Sequence, residues 1–191
     1  CLFTDAVRRY AGSRVESELN ELLRERDDLP LSLLETGARD LHAVLGGPTL
    51  FHLQGRREPP LIVSVLMHGN ETAGWDAIRQ VLRGCLVGDR YDLPRSLSLF
   101  VGNTAAAEQC LRHLPGQPDY NRVWPGCDTH GTPEHVLMRQ VMDRMADREI
   151  FAAVDVHNNT GLNPHYACVN VLEHQSLHLA ALFGRTVVYF V

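Results

Sequence analysis

No stretch of this 191-residue chain approaches the roughly 20 consecutive apolar residues that a membrane-spanning helix requires. Basic charge is scarce as well. Eighteen Lys and Arg stand against 23 Asp and Glu, giving a net charge of −5 and a pI near 6.0. That balance removes the electrostatic case for nucleic acid or an anionic membrane as partner. A disulfide framework is missing too: Cys1, Cys85, Cys110, Cys127 and Cys168 are odd in number and form no CxxC pair. They read as reduced thiols of a cytoplasmic protein. There is no internal repeat, no low-complexity tract and no basic-then-apolar leader. The first residue is not Met, so a fragment or processed chain is expected. What is present is 45% apolar composition, ordinary for a globular protein, in a length that suits a single domain spanning 1–191.

The pattern of elements alternates strand with helix. Thr4 to Arg26 reads as an amphipathic helix, with Leu19, Leu22 and Leu23 at helical spacing. Leu41 to Leu45 and Thr49 to Gln54, separated by Gly46-Gly47-Pro48, read as two strands of a hairpin. Leu61 to Met67, Ser96 to Val101 and Phe151 to Val156 are apolar strands. Helices are expected over Trp75 to Leu86, Ala105 to Leu111 and from Pro133, where Thr132 can cap. Leu114 to Thr132 is rich in Gly, Pro and Asp and reads as a long loop, a kind of segment that usually carries function or is disordered. Strand Tyr166 to Leu172, helix Glu173 to Phe183 and strand Thr186 to Val191 close the chain. The expected class is α/β, with a mixed, largely parallel central sheet flanked by helices. Because the last stretch is an apolar strand, truncation at the C-terminus is expected.

Polar clusters follow three of the apolar strands: His68 and Glu71, Gly102-Asn103, and Asp155 with His157. If those strands run parallel, the clusters share one sheet edge, where α/β proteins keep their sites. His68, Glu71 and His157 would then form a set of two histidines and one carboxylate. Zn²⁺ accepts that set and keeps one position open. Asp155, two residues from His157 and on the same face, could orient a ligand or a nearby loop. Taken alone, His68-x-x-Glu71 reads more simply as a turn histidine beside a helix N-terminal Glu favoured by the dipole; Asp155-x-His157 at the end of a separate strand is what brings the metal reading level with it. In the long loop, Asp119-Tyr120-Asn121-Arg122 offers a planar guanidinium fork for a carboxylate, and Arg112 is a second cation upstream. A solvated surface arginine is the other reading of each. His113, His130 and His135 flank the loop, while His174 and His178 are four apart on a helix face; ordinary loop and surface roles suit them better than metal binding. Cys127 and Cys168 read as idle thiols.

The HGNE after an apolar strand, the GN before an Ala-rich helix, DYNR and DVHNNTGLNPHY occur in that order. Together they resemble the succinylglutamate desuccinylase/aspartoacylase family of the zinc carboxypeptidase-like superfamily, over roughly Leu61 to Val191. The HNNTGLNPHY stretch resembles a metallopeptidase-like bacterial branch of it. The resemblance implies a zinc carboxypeptidase-like fold with His68, Glu71 and His157 as ligands of one Zn²⁺ per chain. It implies that Asp119 hydrogen-bonds His68, and that Asn121 and Arg122 hold a substrate carboxylate or developing oxyanion. Arg112 matches an upstream substrate-binding arginine. Asn158, Asn159 and Tyr166 follow the third ligand and would shape the cleft. Two departures stand out: Asn103-Thr104 replaces the usual Asn-Pro, and the proton-shuttling glutamate is expected beyond Val191.

The implied activity is hydrolysis of an amide beside a carboxylate, in an N-acyl amino acid or at a peptide C-terminus, by metal-activated water. The alternatives are a metal- or carboxylate-binding module lacking the catalytic glutamate, and a non-haem Fe(II) enzyme, which shares the ligand set but usually sits on antiparallel β folds. The expected partner is a small-molecule or peptide substrate.

Overall fold

The computed structural model describes residues 22–128, 130–159 and 161–190. Most of the expected N-terminal helix lies outside them. Its last residues, Arg24–Arg26, form instead a short edge strand, β1, parallel to β2 (Thr49–Leu53). The central sheet has the order β1-β2-β6-β3-β7, with β3 at Leu61–Val65, β6 at Leu97–Val101 and β7 at Ala152–Asp155. Only the β2–β6 pair is antiparallel; β6, β3 and β7 run parallel to one another. The chain is α/β with a mixed, mostly parallel sheet, as its strand–helix alternation leads one to expect.

Two apolar layers cover the sheet, which is why β2 and β6 are buried at every position. Phe51, Leu53, Val63, Val65, Leu99 and Val101 point to one face and pack with Leu33, Leu41, Trp75 and Leu82. Leu50, Ile62 and Phe100 point to the other and meet Leu137, Met138, Val141 and Met142. Trp75, fully buried, donates its indole N–H to Thr36 O at 2.9 Å, so that neither its area nor its polar atom is wasted.

Several boundaries differ from the sequence reading for local reasons. Leu41–Leu45 is a short helix, α1, not a strand. Gly46 takes φ 72° and its N–H caps the helix on His42 O, so the Gly-Gly-Pro is a helix C-cap and no hairpin forms. Helix α2 is Ala73–Gly84, α3 is Thr104–Glu108 and α4 is Pro133–Ala146. Thr132 caps α4 by accepting from His135 N–H at 3.2 Å, with Pro133 in its first turn. A small hairpin of β4 (Leu86–Val87) and β5 (Arg90–Tyr91) follows α2. β8 (Tyr166–Val169) and β9 (Thr186–Tyr189) pair in parallel around α5 (His174–Phe183). No helix among the described residues is long and apolar enough to cross a membrane.

On the second face, His52 Nδ1 meets Ser98 Oγ at 3.1 Å and His52 Nε2 meets Glu25 Oε1 at 2.8 Å. Glu25 also accepts from Arg144 of α4 at 2.8 Å, so this network ties the edge strand to the helix layer. Burial holds the His52 pKa below its ordinary value despite the Glu25 hydrogen bond. A lowered histidine pKa favours the folded state above pH ~6.5 and is lost as pH falls. The melting temperature of wild type is therefore expected to drop more between pH 6.5 and 5 than that of His52→Gln, measured by thermal melts. Equal drops would contradict the role given to His52.

Candidate metal centre

β3 stops at Val65 because Leu66 adopts φ 56°, a left-handed conformation unusual for a buried leucine. The kink is held by Asn103 N–H donating to Leu66 O at 2.7 Å and Gly102 N–H to Val65 O at 3.0 Å. Strain of this kind gathers at functional sites, where the surroundings over-determine it. Beyond it, Glu71 N–H donates to His68 O at 3.1 Å, closing a turn that swings the Glu71 carboxylate back onto His68. Gly69 sits in that turn against α3. A Cβ there would lie 2.2 Å from Ala107 N and 2.3 Å from Ala106 C, both backbone atoms. Gly74, in the first turn of α2, lies against Val156, where a Cβ would be 3.1 Å from Cγ1; this close approach brings the end of β7 beside the turn.

The result is a convergence at the shared edge of β3 and β7. Glu71 Oε1 lies 2.9 Å from His68 Nδ1, and Oε2 lies 2.7 Å from His157 Nδ1. Each imidazole meets a second carboxylate at its other nitrogen: His68 Nε2 is 3.0 Å from Asp119 Oδ1, and His157 Nε2 is 2.6 Å from Asp155 Oδ2. The two rings are tilted, with centroids 4.9 Å apart. His68 and Glu71 are buried, whereas the His157 side chain is 31% exposed and forms the open side.

Burial pushes the Glu71 pKa up, but hydrogen bonds from His157 and His68 and their charge prevail and hold it down to about 2. Burial likewise opposes a charged His157, yet Asp155 and Glu71 raise its pKa to about 10. Asp119 is held below the usual carboxylate range despite burial, by the Asn121 N–H at 2.9 Å, by Arg112 and by His68.

The other expected residues fall into two groups. Asn121 belongs to the centre: its Nδ2 donates to Asp155 Oδ2 at 3.3 Å and lies 2.9 Å from His157 Nε2. Arg112 spans Asp119 Oδ2 at 2.9 Å and Glu71 Oε1 at 3.4 Å. Asn158 reaches Glu71 Oε2 through its backbone N–H at 3.0 Å, not through its side chain. Arg122 is exposed and donates to Asn121 O at 3.2 Å. Tyr166 accepts from Asn159 Nδ2 at 2.7 Å. His135 is buried and occupied, donating to Val123 O at 3.0 Å. His174 and His178 stack at 6.2 Å on α5. Cavities of about 890 Å³ and about 590 Å³ lie elsewhere, against β1 and around Tyr91. Ser64, which the sequence reading passed over, donates to Asp155 Oδ1 at 2.7 Å. The signal was a lone hydroxyl inside the apolar run LIVSV.

One donor atom each from His68, Glu71 and His157 lies within 4.8 Å of the others, a spacing that can hold a metal ion. The chemistry also fits. Two imidazoles and a carboxylate suit Zn²⁺, and histidine ligands ordinarily direct their second nitrogen to a carboxylate, as Asp119 and Asp155 provide. Three carboxylates against the single Arg112 guanidinium leave an excess of negative charge that a dication would offset.

These features define a candidate metal centre at the edge of an α/β sheet. The catalytic-domain model of the succinylglutamate desuccinylase/aspartoacylase family matches residues 58–189, and the chain belongs to that family. The solved succinylglutamate desuccinylase of Vibrio parahaemolyticus is similar at 17% identity and TM-score 0.47, over 56% of this chain. The chain spans 38% of that protein's length. No curated protein matches the chain.

Replacing Gly69 by Ala should force backbone apart at the turn. Overpacking of this kind costs typically ~1–3 kcal/mol, which at ~2–4 °C per kcal/mol for a chain of this size lowers the melting temperature by several degrees. A Gly69→Ala protein melting with wild type would contradict the tight contact with α3.

Proposed function

We propose that the chain is a catalytic domain of a cytoplasmic, zinc-dependent hydrolase that cleaves an amide bond beside a carboxylate, as in an N-acyl amino acid or a peptide C-terminus. The observation that carries this reading is the approach of His68 Nδ1 and His157 Nδ1 to the two oxygens of one carboxylate. His68, Glu71 and His157 would hold one Zn²⁺. When bound, zinc supplies polarisation of a carbonyl and acidification of water.

The remaining roles belong to the chain's own groups. Asp119 and Asp155 keep both Nε2 atoms engaged, so each ring offers Nδ1. A histidine ligand binds a metal only when the coordinating nitrogen is deprotonated, so affinity for the ion falls as pH falls. Arg122, exposed beside Asn121, is assigned to the substrate carboxylate, since a guanidinium fork matches that group. Asn121, Asn158 and Tyr166 are assigned to the cleft, with Arg112 as the second cation. Substrate specificity thus begins with an anionic group, carried by a small N-acyl amino acid or by a peptide. The four cysteines among the described residues form no disulfide, which suits a reducing compartment.

A second reading, a binding module without turnover, draws on one observation. Glu71, Asp119 and Asp155 are all paired with imidazoles, so none is placed to shuttle a proton to a leaving amine.

Calorimetry on zinc-loaded protein with N-acetylaspartate and N-succinylglutamate tests the carboxylate assignment without needing turnover. Arg122→Ala should weaken binding by about 1.5–3 kcal/mol, the value of a hydrogen bond to a charged group. Unchanged affinity would remove Arg122 from the site.

A further inference from the structure

We propose that Ser64 is a positioning residue of this centre: its hydroxyl orients the Asp155 carboxylate, and Asp155 in turn sets which nitrogen His157 offers to the ion. The inference rests on the zinc-hydrolase reading above and extends it to a residue that makes no contact with the ligand set's donor atoms.

Ser64 lies in β3 and is fully buried. Its register partner in β7 is Asp155, and the two strands are locked there by Val156 N–H donating to Ser64 O at 3.0 Å. From that position Ser64 Oγ donates to Asp155 Oδ1 at 2.7 Å. The other oxygen, Oδ2, takes His157 Nε2 at 2.6 Å and Asn121 Nδ2 at 3.3 Å. The carboxylate is thus held at both ends by three elements of the chain.

The need for such a grip follows from side-chain torsions. The terminal torsions of Asp and His are broad and roughly two-fold, so neither group selects its own orientation. A carboxylate held only at Oδ2 could swing, and the imidazole it steers could then turn its other nitrogen inward. With Oδ1 fixed by Ser64, Oδ2 is fixed too, and His157 presents Nδ1 to Glu71. Burying a hydroxyl in an apolar strand is costly without a partner. Ser64 finds that partner in the acid that steers a ligand. His68 lies in the turn four residues beyond Ser64, so the chain leaving β3 supplies one ligand directly while β3 itself aligns the other through Asp155.

The test uses the full chain with Ser64→Ala, Asp155→Asn and the double variant, each checked for folding by thermal melt. Ser64→Cys, close in shape but a weak donor, is carried alongside and should move in the same direction if Ser64→Ala unfolds. Two quantities are read: zinc affinity by chelator competition, and the downfield Nε2–H proton resonance of His157 in metal-free protein. Ser64→Ala should lose about 10-fold in zinc affinity, the lower end for outer partners of metal ligands. The His157 resonance should broaden or vanish. In the Asp155→Asn background the same change should cost almost nothing further, because Ser64 acts through Asp155. Wild-type zinc affinity with an unchanged resonance in Ser64→Ala would overturn the proposal. So would an equal loss of affinity with and without Asp155. A wild-type chain that binds no zinc would instead defeat the hydrolase reading, and the metal-free resonance would still decide whether Ser64 orients His157.

Discussion

The centre depends on the Glu71 carboxylate, whose two oxygens are divided between His68 Nδ1 at 2.9 Å and His157 Nδ1 at 2.7 Å. That sharing is possible only because β3 and β7 are parallel neighbours in one register, with Ser64 opposite Asp155. A shift of one residue would turn Asp155 and His157 together to the opposite face of the sheet and break their contacts with Ser64 and Glu71. The kink at Leu66 and the close approaches at Gly69 and Gly74 then bring the turn and the strand end to hydrogen-bonding distance. Packing and chemistry are therefore not separable here: the apolar layers that fix the sheet also fix the distance between the imidazoles.

The charge arrangement follows the same logic. Two buried or half-buried imidazoles are each held between carboxylates, and Arg112 bridges the inner acid and one outer acid. A dication held by His68, Glu71 and His157 would leave Asp119 and Asp155 on the outer nitrogens.

Much of this was legible in the chain. Apolar runs ending in HGNE, GN and DVHNN mark strands that deliver polar groups to one edge, and β3, β6 and β7 are parallel as that requires. The family resemblance is borne out by the match over residues 58–189. Other features had no readable signal. Leu41–Leu45 is too short for its period to choose between helix and strand, and only the left-handed Gly46 shows that a helix ends there. The left-handed Leu66 is invisible inside a continuous apolar run, since its conformation is imposed by hydrogen bonds from Gly102 and Asn103 far along the chain. The edge strand at Arg24–Arg26 is held by pairing with β2, a tertiary effect that its charged sequence does not announce. Ser64 was readable in principle, as a hydroxyl among valines, but its partner could be named only once β3 and β7 were paired.

The most direct measurement is the zinc content of protein purified without added metal and dialysed, together with that of Glu71→Ala. The account predicts about one zinc per chain in wild type, bound by the three-ligand set, and none retained when Glu71 is removed. Wild-type protein that holds no zinc, or Glu71→Ala protein that holds as much as wild type, would contradict it.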